Sequence, residues 1–263
     1  MLVVRRAEKT ETLAALYHAY CTQVVKKIGV FEEKQNIFMH HSKLESALFN
    51  RVLGCEDPSN VLNCAALLEH AKAFNKKFLW MLHDSNVNLL QYLLTQDLDR
   101  REPEMGFYFN LNWRMPNYES HPAVSLLEVE SEEQFYEWSA VFAECHGISF
   151  EDVCDYFSSG YGDDRCYSLY MAQVYQKTIG CSAMFVHEKN ALLLWDSVLP
   201  MYRRQGVGSM MALSRMKQAK ALECENVYAV GMESFAAMLR DIGFRSFAKF
   251  QVLCYGTKEN HRG

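Results

Sequence analysis

The sequence predicts an α/β fold (α+β): a mixed central sheet flanked by helices, built as two similar domains of which the C-terminal one is complete. Three observations predict it. Strand and helix patterns alternate through the second half, the last part of that order returns in the first half, and a polar stretch ending in proline, residues 117–122, lies between the two series. A chain of 263 residues, 49 % hydrophobic and 22 % charged, can close a core around one large domain or two ordinary ones.

In the second half, residues 124–129 read as a strand. Ser131, followed by Glu133 and Gln134, then marks the start of a helix that runs to Cys145 and stops at His146-Gly147. A second helix covers 150–157 and ends in a Ser/Gly loop, 158–162. Strands at 168–175 and 179–187 flank the turn Gln176-Lys177-Thr178. A buried strand at 192–198, a helix at 208–222 and a strand at 227–230 follow. The helix at 233–242 places Phe235, Met238, Leu239 and Ile242 on one face; Gly243 caps it, and 247–255 is the final strand.

The first half repeats the end of this order: a helix at 61–74, a Phe/Leu/Trp-rich strand at 77–83, and a helix at 86–98 with Leu90, Leu93, Leu94 and Leu98 on one side. Gly106-Phe107 then begins a strand as Gly243-Phe244 begins the last one. The order fits a duplicated unit, or a recurrence that any mixed fold can show by chance.

A net charge of −5 gives no concentrated basic face for a nucleic-acid backbone. The 9 cysteines contain no Cys-x-x-Cys pair, so no metal site is expected and free, mostly buried thiols in a reducing compartment are. The first residues pass from a short apolar run into charges and a helix, without the apolar core of a secretion signal. The longest apolar runs, 78–82 and 191–195, are far short of the roughly 20 residues that span a bilayer. A soluble cytoplasmic protein without membrane contact is expected. His40-His41 reads as a solvated pair.

The informative segment is Val198-Leu-Pro-Met-Tyr-Arg-Arg-Gln-Gly-Val-Gly-Ser209. An apolar strand ends, a proline blocks further pairing, and a basic, glycine-punctuated turn enters a helix. Backbone amides at a helix N-terminus bind anions, aided by the helix dipole. Gly206 and Gly208 take away side chains that would hold a phosphate off those amides, and Arg203 and Arg204 add charge. A nucleotide P-loop needs Gly-Lys-Ser/Thr, but Ser209-Met210 follows Gly208. The dinucleotide fingerprint needs a third small residue where Met211 stands.

What remains resembles the GNAT acyltransferase superfamily, whose Q/R-x-x-G-x-G/A motif is met by Arg203, Gly206 and Gly208. The resemblance implies that residues 121–263 form a GNAT acetyltransferase domain and 1–120 a degenerate GNAT-like domain, as in some bacterial tandem members. The acidic segment 54–58 stands where a phosphate loop would be, which implies one cofactor site. Acetyl-CoA, or coenzyme A, is the implied cofactor. Ser197, Val198, Leu199, Arg203, Arg204, Gln205, Gly206, Val207, Gly208 and Ser209 are the implied binding residues. Asp196-Ser197-Val198 would hold the pantetheine arm as an added strand, and a backbone N–H near Val198 would stabilise the oxyanion.

The resemblance also implies an acid and a base that are missing. Leu239 stands at the usual tyrosine, Leu192 at the usual glutamate, and Met232 at a usual Asn or Ser. Asp196, at the end of the cofactor strand, is the substitute base; a hydrogen-bonded strand residue is its other reading. The expected function is an N-acetyltransferase acting on a small-molecule or peptide amine. The alternatives are a CoA-binding sensor or scaffold with weak catalysis, and an interaction module carried by the first half.

Overall fold

The computed structural model describes residues 2–34, 37–54, 61–74, 76–117, 123–158 and 167–256. The acidic stretch 55–58, linker residues 118–122 and the loop at 159–164 lie outside the described residues. The first half consists of α1 (Leu2–Gln23), β1 (Gly29–Lys34), β2 (Ile37–Ser42), β3 (Asn50–Gly54), α2 (Val61–Ala73), β4 (Phe78–His83), α3 (Val87–Leu94), β5 (Leu98–Arg100) and β6 (Glu104–Asn110). The second consists of β7 (Val124–Glu128), α4 (Glu132–His146), α5 (Phe150–Ser158), β8 (Tyr167–Val174), β9 (Lys177–His187), β10 (Asn190–Val198), α6 (Val207–Ala221), β11 (Asn226–Met232), α7 (Glu233–Asp241) and β12 (Arg245–Tyr255).

The halves repeat one pairing scheme. β1–β2–β3 is antiparallel and β3–β4 parallel; β8–β9–β10 is antiparallel and β10–β11 parallel. Their closing strands are exchanged. β6 lies antiparallel along the whole of β11, while β12 lies antiparallel along β4, and β6 and β12 pair with each other at the centre. The result is one continuous mixed sheet in the order β1-β2-β3-β4-β12-β6-β11-β10-β9-β8-β7, with β5 on β12.

Period-two alternation sends neighbouring residues to opposite faces. Leu192 and Leu194 of β10 join the core under α1, α4 and α5, whereas Ala191 and Leu193 join the core under α6 and α7. Val52, Trp80 and Leu82 pack beneath α2 and α3. α4 starts on a capping box: Ser131 accepts from the Gln134 amide, and the Gln134 side chain accepts from the Ser131 amide. Such caps contribute about 0.5–2 kcal/mol. Gly147, at φ 62°, ends the helix in the left-handed region that glycine tolerates. Gly106 lies inside β6, and a Cβ there would meet the Phe247 ring at 3.0 Å.

Two expectations change. α3 ends at Leu94, because Asp97 takes a φ of 61° and turns the chain so that Leu98 starts β5 against Tyr255. His40 and His41 are buried, at 4 % and 9 % exposure. β2 is covered on both faces: His40 meets the Tyr156 ring edge-on and His41 stacks on Phe74 with centroids 4.0 Å apart. The seven described cysteines are all free thiols, five of them buried. No helix among the described residues is long and apolar enough to cross a membrane.

Candidate functional site

The ladder between β10 and β11 stops at the pair Leu193–Ala229. Beyond it β11 pairs only with β6, through Met232, and β10 only with β9, through Ser197–Cys181 and Val198–Gly180. The facing edges of the two parallel strands therefore open into a wedge. A bulge between Leu194 and Ser197 makes this divergence, and Trp195 takes a φ of 61° within it. β3 runs against β2 without any register shift, so the first half has no matching bulge.

The wedge leads to the segment that the sequence singles out. Leu199 is buried and its amide donates to the Ile179 carbonyl, which ends β10. Pro200 opens a single 3₁₀ turn, and Arg204 and Gly206 take left-handed φ values of 62° and 79°. Gly206 caps α6, whose first intrahelical bond is Met210 N–H to the Gly206 carbonyl. The amides of Val207, Gly208 and Ser209 precede that bond and have no acceptor within the helix. No acidic residue stands in the first turn of α6. Arg203 Nε donates to the Val198 carbonyl at 2.8 Å and Gln205 Nε2 to the Met201 carbonyl at 3.0 Å, so both side chains brace the loop. Arg204 is exposed. Ser197 Oγ shares a 2.8 Å hydrogen bond with His146 Nε2 at the end of α4. Burial, then Arg51 and Arg203, push the His146 pKa down to about 4, so its ring is neutral at pH 7.

Asp196 points away from the wedge mouth and into α6, where its carboxylate is hydrogen-bonded by the fully buried Arg215. Arg215 also donates to the carbonyls of Ala183 and Met211. Burial raises the Asp196 pKa while the Arg215 guanidinium lowers it, and the carboxylate is held as a hydrogen-bonded strand residue. Leu192 and Leu239 are buried core residues at 0 % and 1 % exposure, and neither position offers acid–base chemistry.

The polar groups that sequence reasoning missed come mostly from the first half. A small cavity of ≈ 80 Å³ lies at the root of the wedge, against Leu193, Leu194, Trp195 and Val230. From the first half it receives Tyr17, Tyr20, His40, Arg51 and Glu104. Arg51 lies over the Trp195 ring, 5.4 Å from its centroid, and Trp195 Nε1 donates to the Tyr20 hydroxyl at 3.2 Å. Burial raises the Tyr20 pKa to about 12, which keeps that hydroxyl protonated. The only local signal for these residues was charge in apolar company: Arg51 precedes Val52-Leu53, and Glu104 opens an aromatic strand.

A bulged strand parting from its parallel neighbour, above a glycine-capped helix, is the arrangement of the GCN5-related N-acetyltransferase fold, and the chain has that fold. It is similar to a GCN5-related N-acetyltransferase from Kribbella flavida, at TM-score 0.70 and 13 % identity over 92 % of this chain and 95 % of that one. A GCN5-related N-acetyltransferase from Sphaerobacter thermophilus matches at TM-score 0.64 and 10 % identity, covering 83 % and 76 %. A tandem GNAT protein from the clavulanic acid biosynthesis pathway matches at TM-score 0.54 and 11 % identity, covering 83 % and 77 %. No family model and no curated protein matches the chain.

Proposed function

We propose that the protein is an acetyl-CoA-dependent N-acetyltransferase made of two GNAT-like domains, residues 1–120 without a phosphate loop and 121–263 holding the donor. One observation carries this reading: the open β10 edge runs from the bulge to the uncovered amides of α6. Those residues fit coenzyme A. Ser197, Val198 and Leu199 would hold the pantetheine arm along the open edge of β10, and the turn Gln205–Ser209 with Arg203 and Arg204 would hold the pyrophosphate.

Bound acetyl-CoA supplies a thioester, an activated acetyl group. The chain's part is to hold an amine against it, and such positioning is worth effective molarities of about 10⁵–10⁸ M. In this proposal Glu104 would take a proton from the acceptor ammonium and so free its nitrogen pair, and Tyr20, whose hydroxyl stands against Trp195 of the bulge, would hold a proton for the departing thiolate. The cavity is well below the roughly 300–1,000 Å³ of whole-ligand pockets, so it takes only the reacting end of the acceptor.

The buried Leu192 and Leu239 favour a second reading, a CoA-binding protein with little turnover. One pair of measurements separates the two. Acetyl-CoA raises the melting temperature under both readings, but only under the first does an amine panel accelerate release of free CoA. Absence of a thermal shift at millimolar acetyl-CoA would exclude both.

A further inference from the structure

Two arginines stand beside the bulge and are treated differently, Arg215 fully buried and Arg51 partly exposed. Arg215 is held by Asp196 and by main-chain carbonyls. Arg51 has a single hydrogen bond among the described residues, from Nε to the Leu48 carbonyl at 3.3 Å, which leaves the outer nitrogens of its fork free. It is also fixed in place. Its neighbour Asn50, fully buried, accepts from Ser42 and donates to the carbonyls of Leu44, Ser46 and Lys77.

Two further polar groups face the same cavity without partners. His40 Nε2 is buried and makes no hydrogen bond, and the part-exposed Glu104 carboxylate has no side-chain partner among the described residues. Glu104 and Arg51 do not close on each other: no nitrogen–oxygen approach of 4.0 Å or less joins them. A buried polar atom in a native protein is normally paired, and here His40 Nε2 is the buried atom left without a partner. A fixed guanidinium fork, a carboxylate and an uncharged imidazole converging on one small space describe a ligand with both signs of charge.

We propose that the acceptor is an α-amino acid, its carboxylate bound by the Arg51 fork, its amine directed to Glu104, and His40 completing the hydrogen bonds. The proposal rests on the donor site described above and specifies what that site acylates. A guanidinium binds a carboxylate through two parallel hydrogen bonds, which fixes orientation as well as affinity. Arg51 reaches the cavity from the first half while stacked on the bulge residue of the second. The half without a phosphate loop thereby acquires a role in choosing the acceptor.

The test compares free amino acids, their C-terminal amides and the corresponding amines lacking the carboxyl group, following release of free CoA from the full chain. The free acids are expected to exceed the amides at least tenfold in kcat/KM. Arg51→Gln should remove about 30-fold or more of the free-acid rate and abolish the preference for acids over amides, with the acetyl-CoA thermal shift showing that the donor site is still formed. Arg51→Lys, which keeps the charge but loses the fork, should fall between. A variant-free arm measures calorimetric binding of N-acetyl amino acids and their N-methylamides to the wild-type protein. Preferential binding of the acids supports the proposal even where turnover is slow. Equal rates and equal binding of acids and amides, with the acetyl-CoA shift intact, would overturn it and leave the donor site standing. Loss of the acetyl-CoA shift itself would instead overturn the donor reading.

Discussion

Asp196 and Arg215 form an ion pair beneath the bulge of β10, with the arginine side chain fully buried. The pair ties α6 to the strand at the point where the wedge opens, and Arg215 extends the tie to the carbonyl of Ala183 on β9. Removing one partner leaves a buried charge uncompensated, at a cost of about 3–5 kcal/mol. Arg215→Met is therefore expected to lower the urea midpoint sharply, and adding Asp196→Leu should recover part of the loss. A single variant that unfolds at the wild-type urea concentration would show that the pair does not hold the bulge.

Gly208 separates stability from ligand binding. A Cβ added there meets Met238 Cε at 3.7 Å, an ordinary contact, and alanine suits a helix better by about 0.5–1 kcal/mol. The methyl group would nevertheless stand among the amides proposed to hold the pyrophosphate. Gly208→Ala is expected to melt at or above the wild-type temperature while binding acetyl-CoA about tenfold more weakly by calorimetry.

Glu104→Gln keeps the size of the side chain and removes its proton affinity. Turnover with amines should fall by about 10²–10⁴-fold, while the acetyl-CoA dissociation constant changes little. Turnover at the wild-type rate would move the base to another group.

Burial gives the protein an acid limit. His146 and His40 have pKa values pushed down to about 4 and about 3, from an ordinary 6.5. Each is neutral when folded and gains a proton when unfolded, so stability is full above pH 6.5 and declines as the pH falls. Both contribute down to about pH 4 and His40 alone down to about 3, with a slope of about 1.4 kcal/mol per pH unit for each histidine. Urea midpoints measured from pH 7 to pH 5 should fall steeply in the wild type. The slope should be shallower by one proton in either His146→Gln or His40→Gln.

A chain beginning at residue 121 lacks β6, which leaves β11 without its antiparallel neighbour and β12 without both of its main ones. Such a truncated chain is expected to be insoluble or to bind no acetyl-CoA. Supplying residues 104–110 as a separate peptide should restore part of the β11 pairing, measured as recovered soluble protein.

Local chemistry made much of this molecule readable in advance. The Ser131/Gln134 box, the Gly147 stop and the Pro200–Ser209 turn are each written within a few residues, and each forms where the sequence places it. The site's polar wall was not readable, because Arg51 and Trp195, or Tyr20 and Trp195, meet only through the tertiary fold. The exposed pair expected at His40-His41 failed for the same reason: two polar residues in succession look solvated until helices cover both faces of their strand. Asp196 stands near the end of β10 where the sequence puts it, but its partner Arg215 lies on α6, and only the fold joins the two.

The exchanged closing strands also set an order for how the chain can mature. During synthesis β4 emerges long before β12, the strand that completes its edge. Until β12 has been made the growing chain carries an uncapped edge of the kind that attracts other chains. The two halves cannot be finished one after the other. The first half should therefore stay incomplete until β12 has emerged, and it should lean on chaperones through that interval.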